Sequence, residues 1–129
     1  MRSERTRVPT AAPWAATVGY SRAVRVGNHI YVSGTAPVGD DGQVLHPGDP
    51  YLQARRCLEI ITAALAEAGA GPEHVVRTRI YVTDASHWRE VGRAHGEVFR
   101  EAAPATTLVM VAGLVDPAML VEIEAEAVV

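Results

Sequence analysis

The chain has 129 residues, of which 48% are hydrophobic and 21% charged, so it is predicted to form one soluble globular domain. Its formal net charge is −3 and it has no basic cluster, which argues against nucleic acid and anionic membranes as partners. No apolar run approaches the roughly 18 residues of a membrane span, and residues 1–10 lack the apolar stretch of a secretory signal. These features predict a cytoplasmic protein.

The cysteine and histidine content argues against a disulfide framework and a metal site. Cys57 is the only cysteine, so no internal disulfide is possible. The five histidines show no HxH or HxxxH pair, and they form no cluster with a cysteine at metal-ligand spacing. We therefore predict no metal, and we interpret Cys57 as a small buried apolar residue.

The N-terminal part predicts an arm followed by a hairpin. Residues 1–17 are interpreted as a mobile N-terminal arm, in which Trp14 is the one large apolar side chain, and residues 18–129 as the domain. Residues 23–26 alternate in polarity, Gly27-Asn28 is a turn pair, and residues 30–33 are rich in β-formers. The glycines and prolines of residues 36–49 then predict a loop.

Two helices and three further strands follow. Asp49 is the predicted N-cap of a helix that ends at Gly69, and Ser86 is the predicted cap of a second helix running to about Ala102. Alternation predicts strands over residues 75–82, 107–111 and 120–127. The order β-β-α-β-α-β-β predicts a two-layer α+β domain with helices on one face of a sheet. The other face is either solvated or buried in an oligomer.

Several motifs, in this order and spacing, resemble the RidA/YjgF family from about residue 13 to the C-terminus. They are GYSRAV at 19–24, GNHIYVSGT at 27–35, QA at 53–54, YVTD at 81–84, PATTLV at 104–109 and EIEA at 122–125. The resemblance implies a chorismate-mutase-like α+β fold and a homotrimer with small-molecule clefts between subunits. It also implies hydrolysis of reactive imines and enamines such as 2-aminoacrylate, without a metal or organic cofactor.

The resemblance also implies site residues. Glu122 matches the family glutamate beside the bound water, where a carboxylate with a raised pKa can move protons during C=N hydrolysis. Tyr20 matches a tyrosine lining the cleft, and Ser33 and Gly34 match its wall. The alternative is a structural role, with Glu122 part of the polar face of a strand and Tyr20 packed at a strand edge. For Glu124 and Glu126 that structural interpretation is preferred.

One residue departs from the family pattern. Thr106 stands where relatives carry the arginine that holds the substrate carboxylate, and the backbone of Thr107 and Leu108 is expected to border the same site. Threonine offers one uncharged hydroxyl, whereas arginine offers two parallel charged donors. Another cation is one possible substitute for the arginine. The family layout suggests three candidates: Arg22, Arg77 and Arg79.

Two functions therefore stay open on sequence grounds. The first is an enzyme that hydrolyses an imine or enamine lacking the usual carboxylate clamp. The second is a trimeric module that binds a small metabolite in the same clefts without turnover. His95 stands where relatives often have tyrosine, and it is either a core or interface histidine or a proton carrier. Ribonuclease activity is disfavoured, because the acidic chain has no basic stripe for phosphates.

Overall fold

The computed structural model describes residues 4–129. Residues 1–3 of the predicted arm lie outside the described residues. The secondary-structure elements, in chain order, are β1 (Arg5–Val8), α1 (Ala15–Val18), β2 (Ala23–Val26), β3 (His29–Thr35), α2 (Pro50–Glu67), β4 (Val75–Val82), α3 (Trp88–Phe99), β5 (Ala105–Met110) and β6 (Val121–Val128). The predicted β-β-α-β-α-β-β order is confirmed as β2 to β6 with α2 and α3.

The described strands form one six-stranded sheet in the order β1-β2-β3-β6-β4-β5. All neighbouring strands are antiparallel except β4 and β5, which are parallel. This order makes β1 and β5 the edge strands, and it places β6 at the centre. Residues on β6 are therefore surrounded by neighbouring strands, whereas residues on β5 have one side of their backbone unpaired.

The two long helices cover one face of this sheet. Asp49 caps α2 by accepting a hydrogen bond from the Leu52 N–H at 2.9 Å, and Pro50 stands where its missing donor costs nothing. The cap of the second helical segment was predicted wrongly. Ser86 lies inside a 3₁₀ turn (Ala85–His87), and the Asp84 carboxylate accepts from its N–H at 2.9 Å. An aspartate two residues earlier satisfies that donor, so α3 begins only at Trp88.

Alternation along β6 separates the core from the open face of the sheet. Val121, Ile123, Ala125 and Ala127 are buried and belong to the core under the helices. Glu122, Glu124 and Glu126 are half-buried and point the other way. Further side chains on that open face by strand alternation are exposed and apolar: Tyr31, Val109 and Val128.

The predicted arm contains a strand and a short helix, β1 and α1, that the sequence analysis missed. β1 pairs with β2 from Arg5↔Val26 to Val8↔Ala23, and Val8 is buried in the core. The Arg22 N–H donates to the Val8 carbonyl at 2.8 Å, so the chain after β1 is attached beside the end of β2. Four residues with a single buried side chain are too short for periodicity to indicate a strand. The division of the chain at residue 17 stays a prediction.

Candidate functional site

A cavity of about 320 Å³ brings three of the predicted site residues together. It lies between the segment that follows β1, the outer side of α2 and the ends of β2 and β3. Tyr20, Gly34 and Glu122 line it, and so does Arg22, one of the proposed substitute cations. Ser33 does not line this cavity. Its hydroxyl donates to the Ser21 carbonyl at 2.7 Å, so Ser33 joins the end of β3 to the segment that precedes β2.

A β-bulge in β3 explains how Glu122 reaches the cavity. The pairing of β3 with β6 shifts register between Val32 and Thr35, which leaves Ser33 and Gly34 outside the regular ladder. The Glu122 carboxylate then lies against the bare backbone of Gly34. A Cβ atom at residue 34 would be 3.1 Å from Glu122 Cδ and closer still to Oε2, so any side chain there would displace the carboxylate. Glycine at 34 is a requirement of the site rather than of backbone conformation.

Glu122 and Gly34 also border a second cavity. This space of about 280 Å³ lies toward the open face and is lined in addition by Tyr81, Val111, Gly113, Leu114 and Glu124. Burial raises the pKa of Glu122 above its ordinary value, although the Arg22 charge opposes this, and the Glu124 charge raises it further. Glu122 is therefore a carboxylate that borders two cavities and whose pKa lies above its ordinary value.

Arg22 supplies a positive charge next to this carboxylate. Its side chain is 7% exposed, and Nη2 donates to the Gly34 carbonyl at 2.9 Å. The guanidinium carbon is 5.7 Å from the centroid of the Tyr20 ring. Burial lowers the pKa of Arg22, whereas Tyr20 and Glu122 raise it. Arg22 thus links the two predicted catalytic residues to the bulge that exposes Gly34.

The other two candidate cations have different environments. The Arg77 Nη2 atom donates to the Thr107 hydroxyl at 2.9 Å. Arg79 forms an ion pair with Glu126 at 3.1 Å on the open face. Neither of them lines the cavity at Glu122. Of the three substitutes suggested by the sequence, Arg22 is the one that the fold brings to Glu122.

The structure does not bring Thr106, Thr107 and Leu108 to this cavity. All three lie on the edge strand β5, where Thr106 pairs with the buried Thr78. Glu122 pairs with Tyr81 on β4. Because strand side chains alternate, Thr106 and Glu122 point to opposite sides of the sheet within one chain. A site that uses both residues needs two copies of the chain.

Thr106 belongs instead to a hydrogen-bonded chain that the sequence analysis missed. Its hydroxyl is 2.7 Å from that of Thr78, which is 2.8 Å from His95 Nε2 on α3. Thr106 also donates to the Pro104 carbonyl at 3.1 Å. Thr106 and His95, the two residues interpreted from the sequence as departures from the family pattern, are therefore connected through one buried threonine. A polar residue on the buried face of β4 was the available signal.

His95 is half-buried on α3, and its ring lies 4.8 Å from that of Phe99. Burial lowers its pKa below the ordinary value of 6.5. Near neutral pH the ring is therefore neutral, and it bonds to Thr78 within the helix layer. These contacts support the interpretation of His95 as a packed core histidine.

Residues 4–129 contain neither a cluster of metal-ligating side chains nor a membrane-spanning helix. No group of three or more histidine, cysteine, aspartate or glutamate side chains there is close enough to hold a metal ion. No helix in that part of the chain is both long and apolar enough to cross a bilayer.

Comparisons with known proteins give the class to which this fold and site belong. Residues 10–129 match the family described as endoribonuclease L-PSP. The crystal structure of a Mycobacterium tuberculosis protein, described as a member of the YjgF/YER057c/UK114 family, has a TM-score of 0.88 and is 47% identical, covering 98% of this chain and 100% of that one. The chain belongs to the RidA/YjgF family.

Two curated relatives are similar over most of their length. An uncharacterized protein of Streptomyces coelicolor is 39% identical over 121 residues, which are 94% of this chain and 90% of that protein. The 3-aminoacrylate deaminase RutC of Acinetobacter baylyi is 36% identical over 104 residues, covering 81% of this chain and 82% of the deaminase. Both similarities extend over at least about four fifths of this chain.

Proposed function

We propose that this protein hydrolyses reactive imines or enamines, with Glu122 as the group that moves protons. The observation that carries the proposal is the half-buried Glu122 carboxylate, which lies on the bare backbone of Gly34 and borders two cavities. Burial raises its pKa, which suits a carboxylate that alternately accepts and donates a proton. The similarity to a 3-aminoacrylate deaminase supports the same reaction class.

The reaction needs water and a proton carrier, and no metal or organic cofactor is proposed. Ionised Glu122 accepts a proton from water while the water oxygen bonds to the C=N carbon. The protonated carboxyl then donates to the nitrogen, which gives a carbinolamine. Glu122 next takes the proton of the carbinolamine hydroxyl and transfers it to the amine, so the C–N bond breaks and ammonia leaves as the carbonyl forms. An enamine first takes a proton on carbon to become the imine. Tyr20, on the same cavity, is assigned the role of hydrogen-bonding substrate or water.

The neutral Thr106 restricts the substrate. Without an arginine at this position, a substrate carboxylate loses a charge-assisted pair typically worth about 2–5 kcal/mol. We therefore expect the natural substrate to lack the small α-imino-acid carboxylate that the family arginine holds. Arg22 does not simply replace that arginine, because one of its guanidinium nitrogens is bound to the Gly34 carbonyl.

A homotrimer with ligand clefts between subunits is part of the proposal. Support comes from the opposite orientations of Thr106 and Glu122 in one chain and from the exposed apolar side chains of the open face. In a trimer, β5 of one subunit would meet the Glu122 cavity of the next. Light scattering coupled to gel filtration should give three times the chain mass of 13.8 kDa. A fully active monomer would contradict the shared cleft.

The test compares two glutamines on the same strand. Imines are generated in situ by an amino-acid or amine oxidase, and ammonia release is measured above the spontaneous rate. Glu122→Gln should lower kcat at least about 100-fold, the usual contribution of general acid–base catalysis. Glu126→Gln is the matched control, because Glu126 lies on the same face but is paired with Arg79. Full activity of Glu122→Gln on any imine hydrolysed by the wild type would refute the mechanism.

The alternative is a module that binds a metabolite without turnover, and the uncharged Thr106 favours it. It predicts saturable binding of an imine analogue and an imine lifetime unchanged by excess protein. RNA cleavage, which the family description names, is not proposed, because the formal net charge of −3 gives little attraction for phosphates. RNA binding that weakens steeply with salt would reverse that judgement. The single buried Cys57 is consistent with the proposed cytoplasmic location.

A further inference from the structure

The cavity at Glu122 has an apolar half that the reaction does not explain. Away from Tyr20, Arg22 and Glu122, its walls are formed by the chain after β1, by α2 and by residues beyond β3. These walls contain apolar side chains (among them Val8, Trp14, Val38, Ile60, Ala63 and Ala64) together with four charged ones (Asp40, Arg56, Glu59 and Glu67). A cavity of about 320 Å³ is far larger than a three-carbon imine requires, since one water molecule takes up about 30 Å³.

Charged side chains line both parts of the cavity, but those away from Glu122 offer no free cation, and Glu59 and Glu67 add carboxylates to the α2 wall. Arg22 is 7% exposed and bound to Gly34, so its charge stays at the Glu122 end. Arg56 also lines the cavity, but its Nε donates to the Val38 carbonyl at 2.7 Å and its Nη2 is 3.7 Å from the exposed Asp40. The apolar half therefore offers no free cation to a substrate carboxylate. It offers area to a hydrocarbon group.

The segment after β1 is held in place as one wall of the cavity by packing and by a backbone hydrogen bond. Val8 is buried, its carbonyl accepts from Arg22 N–H, and Pro13 packs over Gly42, where a Cβ would be 3.2 Å from Pro13 Cδ. Trp14 is thereby held on the cavity side of α1 and is one of its lining residues. The segment predicted as a mobile arm thus contributes an indole ring to the wall of the cavity.

Resting on the proposed function, we infer that the substrates are neutral imines with a hydrophobic substituent. The C=N group lies at Glu122, and an aliphatic or aromatic tail lies between Trp14, Ile60 and Ala63. The reaction is R–CH=NH plus water giving R–CHO and ammonia, with no other reactant. This substrate class agrees with the uncharged Thr106, because no carboxylate has to be held.

Two alanines on α2 provide a matched pair for the test. Ala63 and Ala66 are both exposed and three residues apart, but only Ala63 lines the cavity. Ala63→Phe narrows the apolar half without disturbing the core, and Ala66→Phe adds the same ring to the same helix elsewhere. An amine oxidase supplies imines from propylamine, butylamine, pentylamine, hexylamine and 2-phenylethylamine, and ammonia release is followed with glutamate dehydrogenase.

For the wild type, kcat/KM should rise about fourfold for each added methylene until the cavity is full. Ala63→Phe should lose at least about tenfold on hexylimine and the phenyl compound, and little on propylimine. Ala66→Phe should behave as the wild type. Equal kcat/KM along the series, or identical behaviour of the two phenylalanine variants, would overturn the inference.

A binding measurement separates this inference from the proposed chemistry. Phenylacetamide is an unreactive probe with the same ring, and Trp14 is the reporter after the exposed Trp88 is changed to phenylalanine. We expect saturable quenching that Ala63→Phe abolishes and Ala66→Phe retains. Quenching with no turnover of any imine would refute the proposed function and leave the apolar site standing. Absence of quenching in the intact protein would refute the site itself.

Discussion

The Glu122 cavity and the β5 edge differ in almost every physical respect. At the cavity, a half-buried carboxylate and a buried guanidinium lie against a glycine, and both have shifted pKa values. At β5, Thr106 is exposed and neutral, and its hydroxyl is already bonded to Thr78 and Pro104. One region contains groups able to perform acid–base chemistry, whereas the other contains an uncharged hydroxyl held by internal hydrogen bonds. This difference supports the proposal of an imine hydrolase whose substrate lacks a carboxylate.

The largest effect is expected where the cavity depends on an absent side chain. Gly34→Val should reduce activity as severely as Glu122→Gln, by about 100-fold or more, because the new Cβ would push the carboxylate away. Gly34 does not have a positive φ, so the backbone tolerates the change. Kinetics with thermal unfolding as a check on folding would decide. A near-normal rate with a folded protein would show that the Glu122 position is not critical.

Restoring the family charge would sharpen the comparison from the β5 side. Thr106→Arg should raise kcat/KM for 2-iminopropionate by about 30-fold or more, because a charge-assisted pair with the carboxylate is gained. Neutral imines should gain nothing. The control is Thr106→Val, which removes the hydroxyl without adding charge. A wild type already fast on 2-iminopropionate would mean that another cation holds the carboxylate.

The pH dependence tests the coupling between Arg22 and Glu122. Activity that needs ionised Glu122 should fall as the pH drops through its pKa, which burial raises above the ordinary value of 4.5. Arg22 opposes that rise, so Arg22→Gln should move the acid limb of the kcat/KM profile to higher pH. Arg22→Lys keeps the charge and should move the limb less. A limb that stays in place in Arg22→Gln would show that the two groups are not coupled.

A smaller effect, on stability alone, is expected from the hydrogen-bonded chain behind β5. Thr78→Val leaves His95 Nε2 without its partner and should cost about 1–3 kcal/mol in urea unfolding. Thr106→Val, at an exposed position, should cost less than about 0.5 kcal/mol. If both variants lower the free energy of unfolding by the same amount, the hydrogen bonds of the buried Thr78 contribute no extra stability.

The hydrogen-bonded series of Thr106, Thr78 and His95 also predicts how the stability of the fold changes with pH. Burial holds the pKa of folded His95 below 6.5, so the unfolded chain binds more protons as acidity increases. The stability conferred by neutral His95 is therefore present above about pH 6.5 and is lost as the pH falls toward the lower folded value. His95→Gln should weaken this dependence when urea unfolding is compared at neutral and mildly acidic pH.

Much of the fold could be predicted because it depends on local patterns. Asp49, Pro50 and the apolar stripe of α2 determine a helix through short-range capping and burial, and β6 alternates cleanly between buried and polar residues. The family followed from the order of its motifs. β1 could not be predicted, because its four residues gain stability only from pairing with β2 and from burying Val8. Residues 1–17 accordingly carried no periodic signal.

The sequence by itself determined the two long helices, the central strands, the family and the residues from which a site could be chosen. Only the tertiary structure decided which of them meet. The β3 bulge sets Glu122 on Gly34, the register of β5 and β6 on β4 turns Thr106 away from Glu122, and the chain after β1 places Trp14 on the cavity. These relations join residues far apart in the chain, and they depend on register and packing, for which sequence spacing carries no signal.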